Sequence, residues 1–436
     1  LLTHVRTNQT LTLKMSEGNT FPVERMVSVP ALKLAEPVDA TSVGITFQHK
    51  ENDFVDFDRD RLLYHMMSSE GPRMSVGDVN GDQLDDFYIG GARDQAGVLY
   101  VQNSNGTFRS TNEKLFEQDK ISEDAGSVFF DADGDGDADL YVCSGGNEFS
   151  PGSTALIDRL YINDGKGNFS KSPQILPTTV FESTSTVAAS DYDLDGDMDL
   201  FVGVRMESML YGVAVNGYIL NNDGHGKFKE VTDEVAPGLK KVGMITEGLW
   251  ADVDGDKDED LVMVGDWMAV RIFYNEKGKL TEPTTATGLE KSQGWWNSIR
   301  AADLDGDGDM DFVAGNHGLN SRFKASEAKP VTMYVNDFDQ NGTIEQIICT
   351  YNGEKSYPMA LRHDLVQQLP MLKKKYLKYS NYREQTITDV FTPEQMKGAI
   401  TWTCNELRTS VIINQGQGRF EVRPLPMEAQ FSPMYG

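Results

Sequence analysis

Short apolar runs alternate with acidic windows along most of this chain. RMSVGD, SVFFD, TVAASD, EGLWAD and SIRAAD each lead into an aspartate-rich stretch, and DDFYIGG, ADLYVCSGG, MDLFVGV, EDLVMVG and MDFVAGN lead out of it. Runs this short, rich in β-branched and aromatic residues and stopped by Gly or Asn, predict buried strands. A further signal follows each pair. LYVQNSNGTF (99–108), LYINDGKGNF (160–169), YILNNDGHGKF (218–228), IFYNEKGKL (272–280) and VIINQGQGRF (411–420) read as strand, turn, strand, which is the pattern of a hairpin. Each repeat therefore supplies about four strands. The acidic windows begin at 78, 131, 191, 252 and 303, about 50 to 60 residues apart, which is nearer a propeller blade than a short solenoid repeat. The fold class expected is all-β, a β-propeller of four-stranded blades.

Composition sharpens this picture at one point, the acids. The chain has 436 residues with 40 basic and 67 acidic side chains, a net charge of -27. Six windows, DVNGDQLDD, DADGDGDAD, DYDLDGDMD, DVDGDKDED, DLDGDGDMD and DFDQNGTIE, hold 28 of those acids, so the remainder is close to neutral. Carboxylates this crowded repel one another unless a cation sits among them. Oxygen donors without His or Cys suit a hard ion, and flexible six- to eight-fold coordination favours Ca²⁺ over Mg²⁺. Loop positions 1, 3 and 5 offer side-chain oxygens, 7 a main-chain carbonyl and 9 a closing acid. An EF-hand instead closes at position 12 and is flanked by helices.

The ligands expected for about five or six Ca²⁺ ions follow residue by residue. They are Asp78, Asn80, Asp82, Leu84 and Asp86 in the first loop; Asp131, Asp133, Asp135, Asp137 and Asp139 in the second; and Asp191, Asp193, Asp195, Asp197 and Asp199 in the third. The fourth has Asp252, Asp254, Asp256, Asp258 and Asp260, and the fifth Asp303, Asp305, Asp307, Asp309 and Asp311. The sixth, Asp337, Asp339, Asn341, Thr343 and Glu345, carries fewer charges and starts soon after the fifth. It is expected on a later hairpin of the fifth blade or at the opening of an irregular sixth. Gln83 and Lys257 stand at position 6, where the other loops have Gly.

These loops and hairpins resemble the FG-GAP/VCBS repeat family, which includes the propeller of integrin α subunits. The resemblance covers roughly residues 70–350 and 405–436. It implies a propeller, commonly seven-bladed, with Ca²⁺ between the first two strands of a blade, and an adhesive, ligand-binding or scaffolding role outside the cell. LLTHVRTNQTLTL (1–13) is similar to the last strand of the ASPIC/UnbV module that accompanies such propellers. The organisation expected is the end of that module over 1–15, a linker and edge segment over 16–70, with an edge strand at 44–48, and the propeller over 71–436. LPMEAQFSPMYG (425–436) resembles the strand before a further ion loop, so the chain reads as part of a longer multidomain one.

Between 362 and 398 the strand pattern yields to helical apolar spacing, and a helical insertion in the sixth blade is expected. Lys373–Lys375 read as a solvated helix face, Trp295–Trp296 as packing between blades rather than a sugar platform, and Cys143, Cys349 and Cys404 as buried small hydrophobes. His49, His65, His317 and His363 lack neighbours at metal-ligand spacing and read as structural or exposed. The negative charge excludes nucleic acid as a partner, and no apolar run is long enough to insert in a membrane. No GxSxG, HExxH, Walker A or GxGxxG motif is found. The function expected is a non-enzymatic, calcium-binding module, extracellular, on the cell surface or periplasmic, with a protein or glycan ligand. Two rivals stand beside it: an architectural spacer, and a polysaccharide lyase drawing on Arg205, His317, Arg322 and His363.

Overall fold

The computed structural model describes residues 35–435. The segment assigned to a preceding module and the first part of the linker lie outside the described residues. Four antiparallel sheets follow in order, each a simple meander. The first blade is β1 (Met74–Gly77), β2 (Asp86–Ile89), β3 (Val98–Gln102) and β4 (Phe108–Thr111). The second is β5 (Glu123–Phe130), β6 (Asp139–Gly145), β7 (Arg159–Asn163) and β8 (Phe169–Lys171). The third is β9 (Ser183–Ser190), β10 (Asp199–Met206), β11 (Gly217–Asn221) and β12 (Lys229–Glu230). The fourth is β13 (Met244–Ala251), β14 (Asp260–Met268), β15 (Arg271–Asn275) and β16 (Leu280–Thr281), with β17 (Gly294–Trp295) added on β14.

The fifth blade is split. It opens with β18 (Ser298–Ala302) and β19 (Asp311–Gly315), and the chain then builds a separate sheet. That sheet holds β20 (Val331–Asn336), β21 (Glu345–Asn352), β22 (Lys355–Pro358) and β23 (Ile400–Cys404). Only afterwards do β24 (Ser410–Asn414) and β25 (Phe420–Pro424) return to β19 and complete the blade. The expected helical insertion is present as Arg362–Gln368, Tyr379–Tyr382, Ile387–Val390 and Pro393–Met396. Its position is corrected: it lies between β22 and β23, inside a sheet that is itself inserted in the fifth blade. The sixth acidic loop joins β20 to β21 of this inserted sheet. Residues 44–48 pair with no strand. Gly44 caps a short 3₁₀ turn in the left-handed region, and Thr46 and Phe47 donate their N–H groups to the Tyr100 hydroxyl.

The second strands explain the continuous apolar runs. β6, β10 and β14 are buried along their whole length, because each is a central strand covered on both faces by its neighbours. Apolar cores form between blades. Val79, Tyr88 and Leu99 meet Leu140 and Tyr161, and Phe201 and Ile219 meet Ile245, Leu261 and Phe273. A fully buried side chain of this size contributes roughly 1.5–3 kcal/mol. All three cysteines are buried and unpaired, and Trp295 and Trp296 are buried in two different cores.

First strands β1, β5, β9, β13 and β18 neighbour one another in that order. Met74 and Val76 on β1, and Arg300, Ala301 and Ala302 on β18, are exposed. The two ends of the arc therefore do not pack together as adjacent blades do. Five blades of this kind are described, fewer than the seven that the family resemblance suggests. Residues near the C-terminus run beside the fifth blade, where Met434 donates its N–H to the Asn316 carbonyl and Arg73 reaches the Tyr435 carbonyl. Among the described residues no helix is long and apolar enough to cross a membrane.

Candidate metal centres in the aspartate loops

All six acidic loops are built to one plan. Each starts at the residue after one strand and closes on the first residue of the next. The residue before the loop pairs with the closing acid: Gly77 with Asp86, Phe130 with Asp139, Ser190 with Asp199, Ala251 with Asp260, Ala302 with Asp311 and Asn336 with Glu345. That shared register holds the ends of every loop at one separation.

Within the loop the carboxylates organise the main chain. The position-1 acid accepts the position-6 N–H throughout, as in Gln83 to Asp78 at 2.7 Å, Gly136 to Asp131 at 3.0 Å and Lys257 to Asp252 at 3.1 Å. Gly196, Gly308 and Gly342 do the same toward Asp191, Asp303 and Asp337. Position 5 accepts the N–H of position 7, from Leu84 to Asp82, Asp137 to Asp135, Asp197 to Asp195, Asp258 to Asp256, Asp309 to Asp307 and Thr343 to Asn341. These are Asx-type turns.

The geometry demands left-handed backbone at both positions 4 and 6. Gln83 (φ 67°) and Lys257 (φ 81°) adopt it despite their side chains, so those two loops form the same turn as the glycine-bearing ones. Leu194 and Gln340, both at φ 60°, carry the same burden at position 4.

The closing acids Asp86, Asp139, Asp199, Asp260, Asp311 and Glu345 are all buried. Most accept the N–H of loop position 2, from Val79, Ala132, Val253, Leu304 and Phe338. In the five blades their other oxygen takes an N–H from the end of the third strand: Gln102, Asn163, Asn222, Asn275 or Asn414.

The asparagines in that set are functional residues that sequence reasoning read only as turn formers. Their side chains reach back to the preceding blade's loop. Asn163 Nδ2 donates to the Val79 carbonyl at 2.8 Å, Asn222 to Ala132 at 2.8 Å, Asn275 to Tyr192 at 2.6 Å and Asn414 to Val253 at 2.9 Å. Each acceptor is loop position 2. In the inserted sheet Gln395, from the helical segment, donates to the Phe338 carbonyl in the same way. The signal was present, since an Asn stands at the same place in INDG, NNDG, YNEKG and INQG.

Positions 1, 3 and 9 converge in at least four loops. Asp131, Asp133 and Asp139; Asp191, Asp193 and Asp199; Asp252, Asp254 and Asp260; and Asp303, Asp305 and Asp311 each bring one carboxylate oxygen within 4.8 Å of the others. Position 7, expected to offer its main-chain carbonyl, sends its side chain away from this cluster in two loops, while Asp258 Oδ1 in the fourth is buried without a partner. Asp137 and Asp197 lie against the turns at Gly165 and Gly224, where a Cβ would stand 2.2 Å and 2.6 Å from their carboxylate oxygens. Asp133 Oδ1, Asp193 Oδ1, Asp199 Oδ2, Asp339 Oδ1 and Glu345 Oε1 are buried with no hydrogen-bond partner. Buried carboxylate oxygens without a donor are costly, and a divalent cation is what this donor set fits. The residues that would hold it are the inward-facing oxygens at positions 1, 3 and 9.

Electrostatics agree. Burial pushes Asp139 up to about 6, Asp260 and Glu345 to about 7 and Asp199 to about 8, and the neighbouring loop carboxylates push in the same direction. A bound cation would reverse the balance by favouring the ionised form.

The histidines and the residues considered for lyase chemistry have other surroundings. Arg205 is buried between Asp266, at 2.7 Å, and Glu70. His317 packs edge-on to Trp295, Arg322 lies over Phe323, and His363 is exposed beside Asp364 and Tyr379. Lys373–Lys375 are exposed, and Lys375 caps the carbonyls of Asp389 and Val390. One expectation is corrected: His49 does have metal-ligand neighbours, Glu51 and Glu123. The second of these arrives from β5, which local spacing could not reveal.

Comparison with known proteins adds the family. Residues 78–142, 131–202 and 252–314 match the FG-GAP-like repeat. No protein of curated function matches the sequence. Similar solved structures include a rhamnogalacturonan lyase PL11 of Bacillus licheniformis, at 13% identity and TM-score 0.35, covering 66% of this chain and 56% of that one. The Dos1 propeller aligns at 11% identity and TM-score 0.32 over 57% of this chain and 55% of its own. The V. cholerae biofilm matrix protein Bap1 aligns at 16% identity and TM-score 0.30 over 66% and 38%. The chain thus spans about half, or less, of the length of each.

Proposed function

Since the chain carries three FG-GAP-like repeats and is a β-propeller of the FG-GAP/VCBS repeat family, we propose that it is a calcium-stapled binding module that works outside the cytoplasm without catalysing a reaction. The observation that carries this reading is the single plan shared by all six loops, with buried acceptors facing inward and no protein donor for several of them. Ca²⁺ fits the oxygen-only set better than Mg²⁺, which demands a stricter octahedron. The ion's role is structural. The position-1, position-5 and closing acids also fix the loop's main chain.

Location follows from affinity. Loops open to solvent with a few carboxylates suit dissociation constants of about 10⁻⁴ M, which millimolar external calcium fills and a cytosol does not. The ligand proposed is a protein or glycan, bound on a surface whose shape the ions maintain. Against a lyase, Arg205 is neutralised by two acids and His363 lies apart from it among exposed side chains.

Metal analysis after equilibrium dialysis against millimolar CaCl₂ tests the premise: five or six calcium ions per chain are expected, and none would refute it. Glycan and protein arrays probed with and without chelator test the binding role. Release of unsaturated products from uronate polysaccharides, followed by ultraviolet absorbance, would replace it with the lyase reading.

A further inference from the structure

At the opposite end of the strands from the aspartate loops, a second and chemically different ligand set assembles. His49, Glu51 and Glu123 each bring one ligand atom within 4.8 Å of the others. They come from distant stretches: His49 and Glu51 from the segment that crosses the first blade, and Glu123 from the first residue of β5. His49 Nε2 and Glu51 Oε1 are 2.9 Å apart. The imidazole rests on Gly71, where a Cβ would stand 2.9 Å from its Cε1, so the ring position is fixed by backbone.

Among the described residues, the most deeply buried acid here has no lysine or arginine side chain paired with it. Glu123 is 4% exposed. Its Oε2 accepts the Arg93 N–H at 2.6 Å, and among the described residues it forms no ion pair with Lys or Arg. Arg159 is held by Asp124 at 2.7 Å, while Arg93 approaches the exposed Asp94 only at 3.8 Å and also acts on Glu148. Glu148, 9% exposed, approaches through Asn52, whose Nδ2 donates to Glu148 Oε1 at 3.4 Å. Glu148 Oε2, Glu51 Oε2 and His49 Nδ1 are all buried without a hydrogen-bond partner. Glu51 and Glu123 beside one imidazole, with Glu148 acting on Glu123 and these atoms unpaired, are costly to bury as they stand.

We propose that His49, Glu51 and Glu123 bind one divalent transition-metal ion of the zinc class, distinct from the calcium of the aspartate loops. The donor chemistry separates the two kinds of site. An imidazole nitrogen with carboxylate oxygens suits zinc and its neighbours, whereas calcium takes oxygen alone. Three protein ligands leave a coordination position for water or an anionic group. Glu123 also lines a cavity between first strands, together with Arg73, Asp124, Arg205 and Tyr435, so the ion would stand beside a chamber that already carries two guanidinium groups.

The test uses the whole chain in excess CaCl₂, so that the loops are filled, titrated with Co²⁺ as a coloured substitute for Zn²⁺. One equivalent should bind with a visible d–d absorption band, and Zn²⁺ should displace it. His49→Ala should abolish the band, and Glu51→Gln, at a partly exposed position, should weaken Co²⁺ binding by about tenfold or more with an unchanged melting temperature. Asp133→Asn, in a calcium loop, should leave the band in place. Absence of Co²⁺ uptake, or uptake undiminished in both His49→Ala and Glu51→Gln, would overturn the proposal.

Discussion

Leu194 shows how much backbone strain a single loop residue carries. Its φ of 60° is set by the turn, and its side chain is 67% exposed, so little packing offsets the cost of about 1–2 kcal/mol that a left-handed non-glycine residue bears. Leu194→Gly should therefore stabilise the chain by about 1 kcal/mol in urea unfolding, with calcium present in both samples. Gly308→Ala, at φ 97° in the fifth loop, should destabilise by a similar amount. The sequence shows the substituted position 6 in the first and fourth loops. It hides position 4, because Leu194 stands just before an intact Asp195-Gly196-Asp197 run and looks ordinary there. The closing acids carry a pH prediction. For Asp139, Asp199, Asp260 and Glu345 the folded, metal-free pKa values lie above the unfolded carboxylate value. Their contribution to the metal-free fold is fullest below pH of about 4 and is lost as pH rises through about 6 to 8. Calcium needs the ionised form, so the rise in melting temperature that it produces should grow from about pH 5 to about pH 8. A calcium effect of equal size across that range would contradict the assignment of these acids as ligands.

At the scale of the element, the loops are coupled rather than independent. Asn222 fastens its own closing acid, Asp199, through its N–H and the second-blade loop, at Ala132, through its side chain. Asn222→Ala leaves a buried carbonyl without its donor, which should cost about 1–3 kcal/mol. It should also weaken calcium binding in the second-blade loop, although the residue lies in the third blade. Calorimetric titration reads both effects, and an Asn222→Ala protein with unaltered calcium affinity at every site would argue against coupling. Strands and loops were legible because each repeats a chemistry that only one environment satisfies. The coupling was not, because an Asn in an Asn-Gly turn already has a local explanation, and its long-range partner is a main-chain carbonyl with no side-chain signature.

Over the whole molecule, five acidic loops belong to the blades and the sixth to the inserted sheet. The inserted sheet shares a core with the strand ends of the third and fourth blades, where Met333, Val335 and Cys404 meet Met206, Met244, Trp267 and Trp295. Sequence periodicity reads the last hairpin, VIINQGQGRF, only as strand, turn, strand beyond the helical stretch. In fact Val411 and Ile412 pair with Val313 and Phe312 on β19, across the entire insertion. A period counts residues and cannot see that the chain has left a blade and come back. Likewise His49 and Glu123 look unrelated until β5 carries one to the other. What the sequence does expose is where a cation belongs, because crowded carboxylates have few other reasons to recur at fixed spacing.

The central claim is that divalent ions in these loops hold the propeller together, and thermal unfolding of the purified chain addresses it most directly. In millimolar CaCl₂ at neutral pH the melting temperature should exceed that in EDTA by at least about 5 °C, since several sites each add stability by mass action. An identical melting temperature in calcium and in EDTA would contradict it.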